Sequence, residues 1–137
     1  MAIIPYVKIA VIEPDKLIRD FIVDVLAFSV NRKVYAFDNC VDAINYLSTI
    51  GSADVILIEA NLPHGSSGLD LLKELKNKYA HKLCIVMSDN LIHEEKSKNI
   101  GADAFLAKPF TLNDLFDIVQ SFVVEKDWRK SQPQSQY

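Results

Sequence analysis

Glu59 and the segment Glu13-Pro14-Asp15 are the places where this chain can do chemistry. Glu59 closes the run Asp54-Val55-Ile56-Leu57-Ile58-Glu59, and Glu13 follows the apolar stretch Val7 to Ile12. A carboxylate at the end of a buried strand can hold a cation, pair with a base or accept a group. Between Pro63 and Gly68 runs His64-Gly65-Ser66-Ser67, whose small residues could cradle an anion. That loop lacks the GxxxxGK[ST] pattern of a nucleotide-binding loop, so a flexible turn is the reading it supports. His64, His81 and His93 fall in predicted turns, and no His/Cys/Asp spacing suggests zinc. Cys40, before a helix, and Cys84, in a predicted core strand, read as two reduced thiols rather than a disulfide or metal pair.

These residues are positioned by five strand patterns, each followed by a helical period. The runs Val7 to Ile12, Val34 to Phe37, Val55 to Ile58, Leu83 to Met87 and Ala104 to Leu106 lack polar alternation, as strands covered on both faces do. The first helix, about Lys16 to Phe28, carries Leu17, Ile18, Phe21, Ile22, Val25 and Leu26 as an apolar stripe, with Asp15 as N-cap. The second, near Val41 to Thr49, presents Val41, Ile44 and Leu47; the third, near Gly68 to Tyr79, presents Leu69, Leu72 and Leu75. The fourth, near Leu91 to Ile100, has little apolar surface and ends at Gly101, so it is expected to be the most exposed. The fifth runs from about Leu112 to Val124 with Leu115, Ile118, Val119 and Phe122 inward and Thr111 as N-cap. A repeat of this kind requires a parallel sheet with right-handed crossovers. The expected fold is therefore α/β, a flavodoxin-like doubly wound (βα)5 three-layer sandwich with strand order 2-1-3-4-5. Ligands in such a sheet bind outside the carboxyl ends of strands 1 and 3, where Glu13 and Glu59 stand.

Length and charge narrow the classes. A chain of 137 residues, half of them hydrophobic, forms one core. Its net charge of -3 and lack of a Lys/Arg cluster argue against a nucleic-acid surface. The start Met1-Ala2-Ile3-Ile4-Pro5 is too short and uncharged for a signal peptide, and no run is long enough to span a membrane, so a cytoplasmic location is expected. The domain is read as residues 6–124, and the polar stretch 125–137 as a frayed tail with Trp128 loosely held.

Further residues complete a resemblance. Ser88 follows the fourth strand in Val86-Met87-Ser88-Asp89, and Gly101 to Phe110 brings Phe105 and then Lys108-Pro109-Phe110 after the fifth. With Glu59, Pro63 and Gly68 at their spacing, these segments resemble the receiver domain of two-component response regulators, the CheY-like family, over about residues 6 to 124. The resemblance implies phosphoryl transfer from a histidine kinase to an acid at position 59, supported by the Ser88 hydroxyl, Lys108 and magnesium, with Phe105 as switch aromatic. Metal and lysine would neutralise charge on the phosphoryl oxygens.

The chain departs from the family at two of these positions. Glutamate stands where the family has its acceptor aspartate, and one extra methylene moves the carboxylate by about 1.5 Å. Pro14 displaces the second acid of the metal pair, leaving Glu13 with Asp15 as a possible substitute. Magnesium, which wants near-octahedral oxygens, is then expected to bind weakly or not at all, with Glu13, Glu59 and the Asn61 carbonyl as candidates. Glu59 can instead contact Lys108, an attraction of about 4 kcal/mol at ~4 Å before desolvation. The expected function is an atypical single-domain receiver, a pseudo-receiver in phosphorelay signalling. It would act by protein-protein contact, not as an enzyme and without another cofactor. Expected partners are a sensor histidine kinase or downstream signalling protein, or a second copy through the fourth helix, fifth strand and fifth helix. Two alternatives stand beside it: phosphate acceptance by Glu59 or a nearby acid, and a flavodoxin-type redox carrier.

Overall fold

A computed structural model of the protein describes residues 7–63 and 67–131. Its elements, in chain order, are β1 (Ile9–Ile12), α1 (Lys16–Val25), β2 (Val34–Phe37), α2 (Cys40–Leu47), β3 (Val55–Glu59), α3 (Gly68–Lys78), β4 (Leu83–Ser88), α4 (Ile92–Ile100), β5 (Ala104–Ala107) and α5 (Leu112–Ser131). The strands form one sheet in the order β2-β1-β3-β4-β5, every neighbouring pair parallel. This is the doubly wound arrangement expected from the sequence.

The unbroken apolar strand sequences follow from two cores divided by the sheet. Odd-numbered residues of the central strands (Ile9, Val11, Val55, Leu57, Ile85, Met87) pack with α1 and α5 through Ile22, Leu26, Leu115 and Val119. Their even-numbered neighbours (Ala10, Ile12, Ile56, Ile58, Cys84, Val86) pack with α2 and α3 through Ala43, Leu47, Leu71 and Leu72. With both faces covered, no strand position in the centre can be polar until the chain leaves the sheet. Glu13 and Glu59 mark that exit.

The helices differ from expectation in which residues they bury. In α1, Asp15 is the N-cap, its Oδ1 accepting from the Leu17 and Ile18 amides at 2.9 and 3.2 Å. The inward stripe is Ile18, Ile22, Val25 and Leu26; Leu17 is 83% exposed and, with Phe21, forms a separate column. The helix then loosens into a π-helical turn, Leu26–Val30, ending on Asn31 in the left-handed conformation. In α2 the Asn39 cap starts the helix at Cys40, so Ala43 and Leu47 turn inward and Val41 is 66% exposed. Leu71 joins Leu72 and Leu75 in α3. In α4 Ser97 alone is fully buried.

The largest correction concerns the end of the chain. The helix expected to stop at Val124 continues to Ser131, through the first part of the stretch read as a tail; residues 132–137 lie outside those described. Apolar periodicity misses this extension because polar groups hold it. After Val123, the inward positions are Lys126, whose ammonium donates to the His81 carbonyl, and Asp127, which pairs with Arg32. Trp128 is 62% exposed. At the other end, Thr111 and Asp114 cap the helix reciprocally, each accepting from the other's amide at 3.0 Å.

The Arg32–Asp127 pair is mostly enclosed, so Asp127→Ala is expected to cost about 1–3 kcal/mol in urea unfolding, between the values of exposed and buried pairs. Amide exchange along 125–131 should accelerate with it. Unchanged stability and exchange would show that the extension does not depend on this anchor.

Candidate functional site

The carboxyl ends of β1, β3 and β5 bring Glu13, Glu59 and Lys108 together. The Lys108 ammonium donates to Oε1 of Glu13 and to Oε1 of Glu59, bridging the two acids. Each remaining carboxylate oxygen accepts a backbone amide two residues on: Glu13 Oε2 from Asp15 at 3.1 Å, and Glu59 Oε2 from Asn61 at 2.9 Å. Both glutamates are buried, Glu13 to 1% exposure, and the lysine side chain is nearly so. Two negative charges thus share one positive charge away from solvent.

Several local features make this convergence possible. Gly68 opens α3 against the end of β3, where an added Cβ would lie 1.9 Å from the Glu59 carbonyl oxygen, so only glycine fits. The Gly68 amide donates to the Ala60 carbonyl at 2.8 Å. Arg19 of α1, which the sequence reading did not single out, reaches back with Nη1 to the carbonyls of Glu13 at 2.9 Å and Pro14 at 3.3 Å. Lys108 is placed by its own amide, which donates to the Ser88 carbonyl at 2.8 Å.

Burial sets the electrostatics. It pushes the Glu13 carboxyl above its ordinary range, against the lowering effect of the hydrogen bond from Lys108. Burial alone would draw Lys108 down, but its bonds to Glu13 and Glu59 and their charges outweigh this and raise it. The stabilisation that this lysine supplies is therefore complete below its unfolded pKa and is lost as pH rises through the higher folded value.

The other expected residues are distributed around this triad. Asp15 lines the same cavity, but its Oδ1 is engaged by the α1 amides. Ser88 is fully buried and its hydroxyl shares a hydrogen bond with His93 Nδ1 at 2.7 Å, not with Glu59. Phe105 is half-buried, in register with Val86 and packed against the α2/α3 core. His64, Gly65 and Ser66 lie outside the described residues. Cys40 and Cys84 are free, and burial pushes the Cys84 thiol up to about 12. A cavity of about 580 Å³ opens above the triad, with Leu17, Phe21 and Phe110 on its lip.

As arranged, these donors do not fit a magnesium ion. The oxygens of Glu13 and Glu59 already accept from an ammonium and two amides, and Pro14 offers only a carbonyl, which Arg19 engages. Asn61 donates its amide to Glu59, a bond that does not engage its carbonyl.

A family model described as the response regulator receiver domain matches residues 9–120. The chain belongs to this family. It is a receiver domain of two-component signalling, and receiver domains interact with histidine kinases or downstream effectors. The chain is 31% identical over 120 residues to the transcriptional regulatory protein PmrA of Pectobacterium parmentieri, covering 85% of this chain and 52% of that protein. It is 29% identical over 126 residues to a putative two-component response regulator of Arabidopsis thaliana, covering 91% of this chain and 20% of that one. The receiver thus spans about half the length or less of these curated relatives. Among solved structures, a CheY-like receiver domain protein from Methanospirillum hungatei superposes with a TM-score of 0.81 at 20% identity, over 91% of this chain and 99% of that one. The response regulator DrrB of Thermotoga maritima gives 0.77 at 23% identity, over 89% and 54%. At these identities the likeness is one of fold. Among the described residues, no helix is long and apolar enough to cross a membrane.

Replacing Lys108 by Met should leave two buried carboxylates facing each other, at a cost of about 3–5 kcal/mol near neutral pH. One of them must then take up a proton, its folded pKa rising above the unfolded value. Stability of Lys108→Met should consequently increase as pH falls through that raised value, recovering part of the loss. Urea unfolding at pH 8 and pH 5 measures this; a loss that is small, or equal at both pH values, contradicts the shared-charge arrangement.

Proposed function

We propose that this receiver transmits signals by protein-protein contact and does not accept phosphate at position 59 in the usual way. The observation that carries this reading is the Lys108 ammonium held by Glu13 and Glu59 together. In phosphoryl transfer that lysine must be available to charge developing on the phosphoryl oxygens. Here it neutralises resident carboxylates, and the acids that would hold metal are the same groups. The longer side chain of Glu59 reaches the lysine while its second oxygen is fixed by Asn61. One resident carboxylate supplies one charge and two oxygens, where a phosphoryl group brings about -1.5 to -2 charges and three oxygens. Glu59 therefore fills the site without reproducing the phosphorylated state in full.

On this reading the chain is not an enzyme, needs no cofactor and works in the cytoplasm. Its partners are a sensor histidine kinase or a downstream signalling protein, or a second copy docking through α4, β5 and α5. The weakly buried α4 suits a surface that exchanges partners. Nothing at the end of β1 favours a redox carrier: where a flavin phosphate loop would lie, Glu13, Pro14 and Asp15 are bonded to Lys108, Arg19 and the start of α1.

Treatment with acetyl phosphate or phosphoramidate in magnesium, followed by intact mass measurement, is the test. The wild type should gain no phosphoryl group. Glu59→Asp alone should restore little, and Glu59→Asp with Pro14→Asp should restore more, because metal and acceptor act as a unit. A stoichiometric gain on the wild type would sink the proposal; equal phosphorylation of the single and double variants would remove the coupling between metal and acceptor.

A further inference from the structure

Ser88 has its hydroxyl committed in a direction that the triad does not explain. Its Oγ accepts from the Asn90 amide at 3.0 Å and shares the 2.7 Å bond with His93 Nδ1. Of the one proton and two lone pairs on that oxygen, these two bonds engage two. Glu59, across the site, is satisfied by Lys108 and Asn61. The hydroxyl at the end of β4 is thus tied to α4, not to residue 59.

The consequence falls on the first turn of α4, because the packing of this helix on α3 and the sheet is carried by Ser97 and Ile100 nearer its other end. Ser97 is its sole fully buried residue, and its N-cap, Leu91, supplies no side-chain hydrogen bond. Asn90 Oδ1 accepts from the Ile92 amide at 3.1 Å, and the Asn90 carbonyl accepts from the His93 amide at 3.0 Å, but both bonds are local to the turn. His93, half-buried in the first turn, links that turn to the interior of the sheet. Leu91 and Ile92 beside it are exposed apolar residues, so the orientation of this turn determines what the surface presents.

We infer that His93 is a positioning residue: its hydrogen bond to Ser88 fixes the first turn of α4 on the end of β4 and holds the Ser88 hydroxyl away from residue 59. The bond joins the end of β4 to the turn that presents Leu91 and Ile92. The anchor depends on a side chain that histidine supplies five residues after the serine. The inference requires only the observed contact and stands whether or not residue 59 accepts phosphate.

Amide hydrogen exchange on the full chain tests this with three variants. His93→Phe keeps a ring but removes the bond, Ser88→Ala removes the other partner, and His93→Asn offers a polar atom near the place of Nδ1. His93→Phe and Ser88→Ala should each accelerate exchange along residues 92–100 by about three- to tenfold, the factor that an ordinary net hydrogen-bond energy supports. Exchange in β1 and β3 should not change, the double variant should be no faster than Ser88→Ala, which also loses the acceptor of the Asn90 amide, and His93→Asn should restore part of the protection. A merely structural role would instead speed exchange throughout the protein. Additive single effects, unchanged exchange in α4, or an Asn variant as fast as Phe would overturn the inference. Should Ser88→Ala fail to fold, the comparison of Phe with Asn at position 93 decides it alone.

Discussion

One ammonium shared by two buried carboxylates holds the functional end of this receiver together. Lys108 follows β5, Glu13 follows β1 and Glu59 ends β3, so the two bonds join the ends of three strands, one of them separated from the others by β4. Burying two like charges without compensation would cost several kcal/mol. The lysine makes the arrangement tolerable, and the two backbone amides satisfy what it leaves over. Around this triad the backbone has little freedom, since Gly68 packs against the Glu59 carbonyl and Arg19 clasps the turn after β1.

Much of this architecture was legible in the sequence because strands buried on both faces permit one kind of residue. The five runs and their order follow from that constraint, and Glu13 and Glu59 announce themselves as the first charges after it. Helical detail was less legible. In α2, the expected stripe of Val41, Ile44 and Leu47 put Val41 inward, whereas the Asn39 cap sets the start of the helix so that Ala43 and Leu47 are the buried residues. The extension of α5 was hidden because Lys126 and Asp127 occupy inward positions with charge, and their partners, the His81 carbonyl and Arg32, are far away in the chain. A pattern of hydrophobicity carries no trace of such anchors.

The site shows the same division. Which residues gather is fixed by where the strands end, so Glu59, Ser88 and Lys108 could be placed beforehand. How they pair is a matter of side-chain reach. Here residue 59 meets the lysine from one side while Glu13 meets it from the other. Ser88 then turns to His93, a residue that looked like an ordinary turn histidine until the start of α4 was placed beside β4. Family membership therefore describes the fold and the signalling class, while the pairing of side chains within the site has to be read from this chain's own contacts.

A high-resolution crystal structure of the protein grown with magnesium and beryllium fluoride shows whether the site stays filled by its own side chains. Lys108 Nζ should remain within hydrogen-bond distance of both Glu13 and Glu59, with no metal between the acids and no fluoride complex on residue 59. An octahedral ion held by Glu13 and Glu59, with beryllium fluoride on the Glu59 carboxylate and Lys108 turned toward it, would show instead that these side chains leave the site open to metal and phosphate.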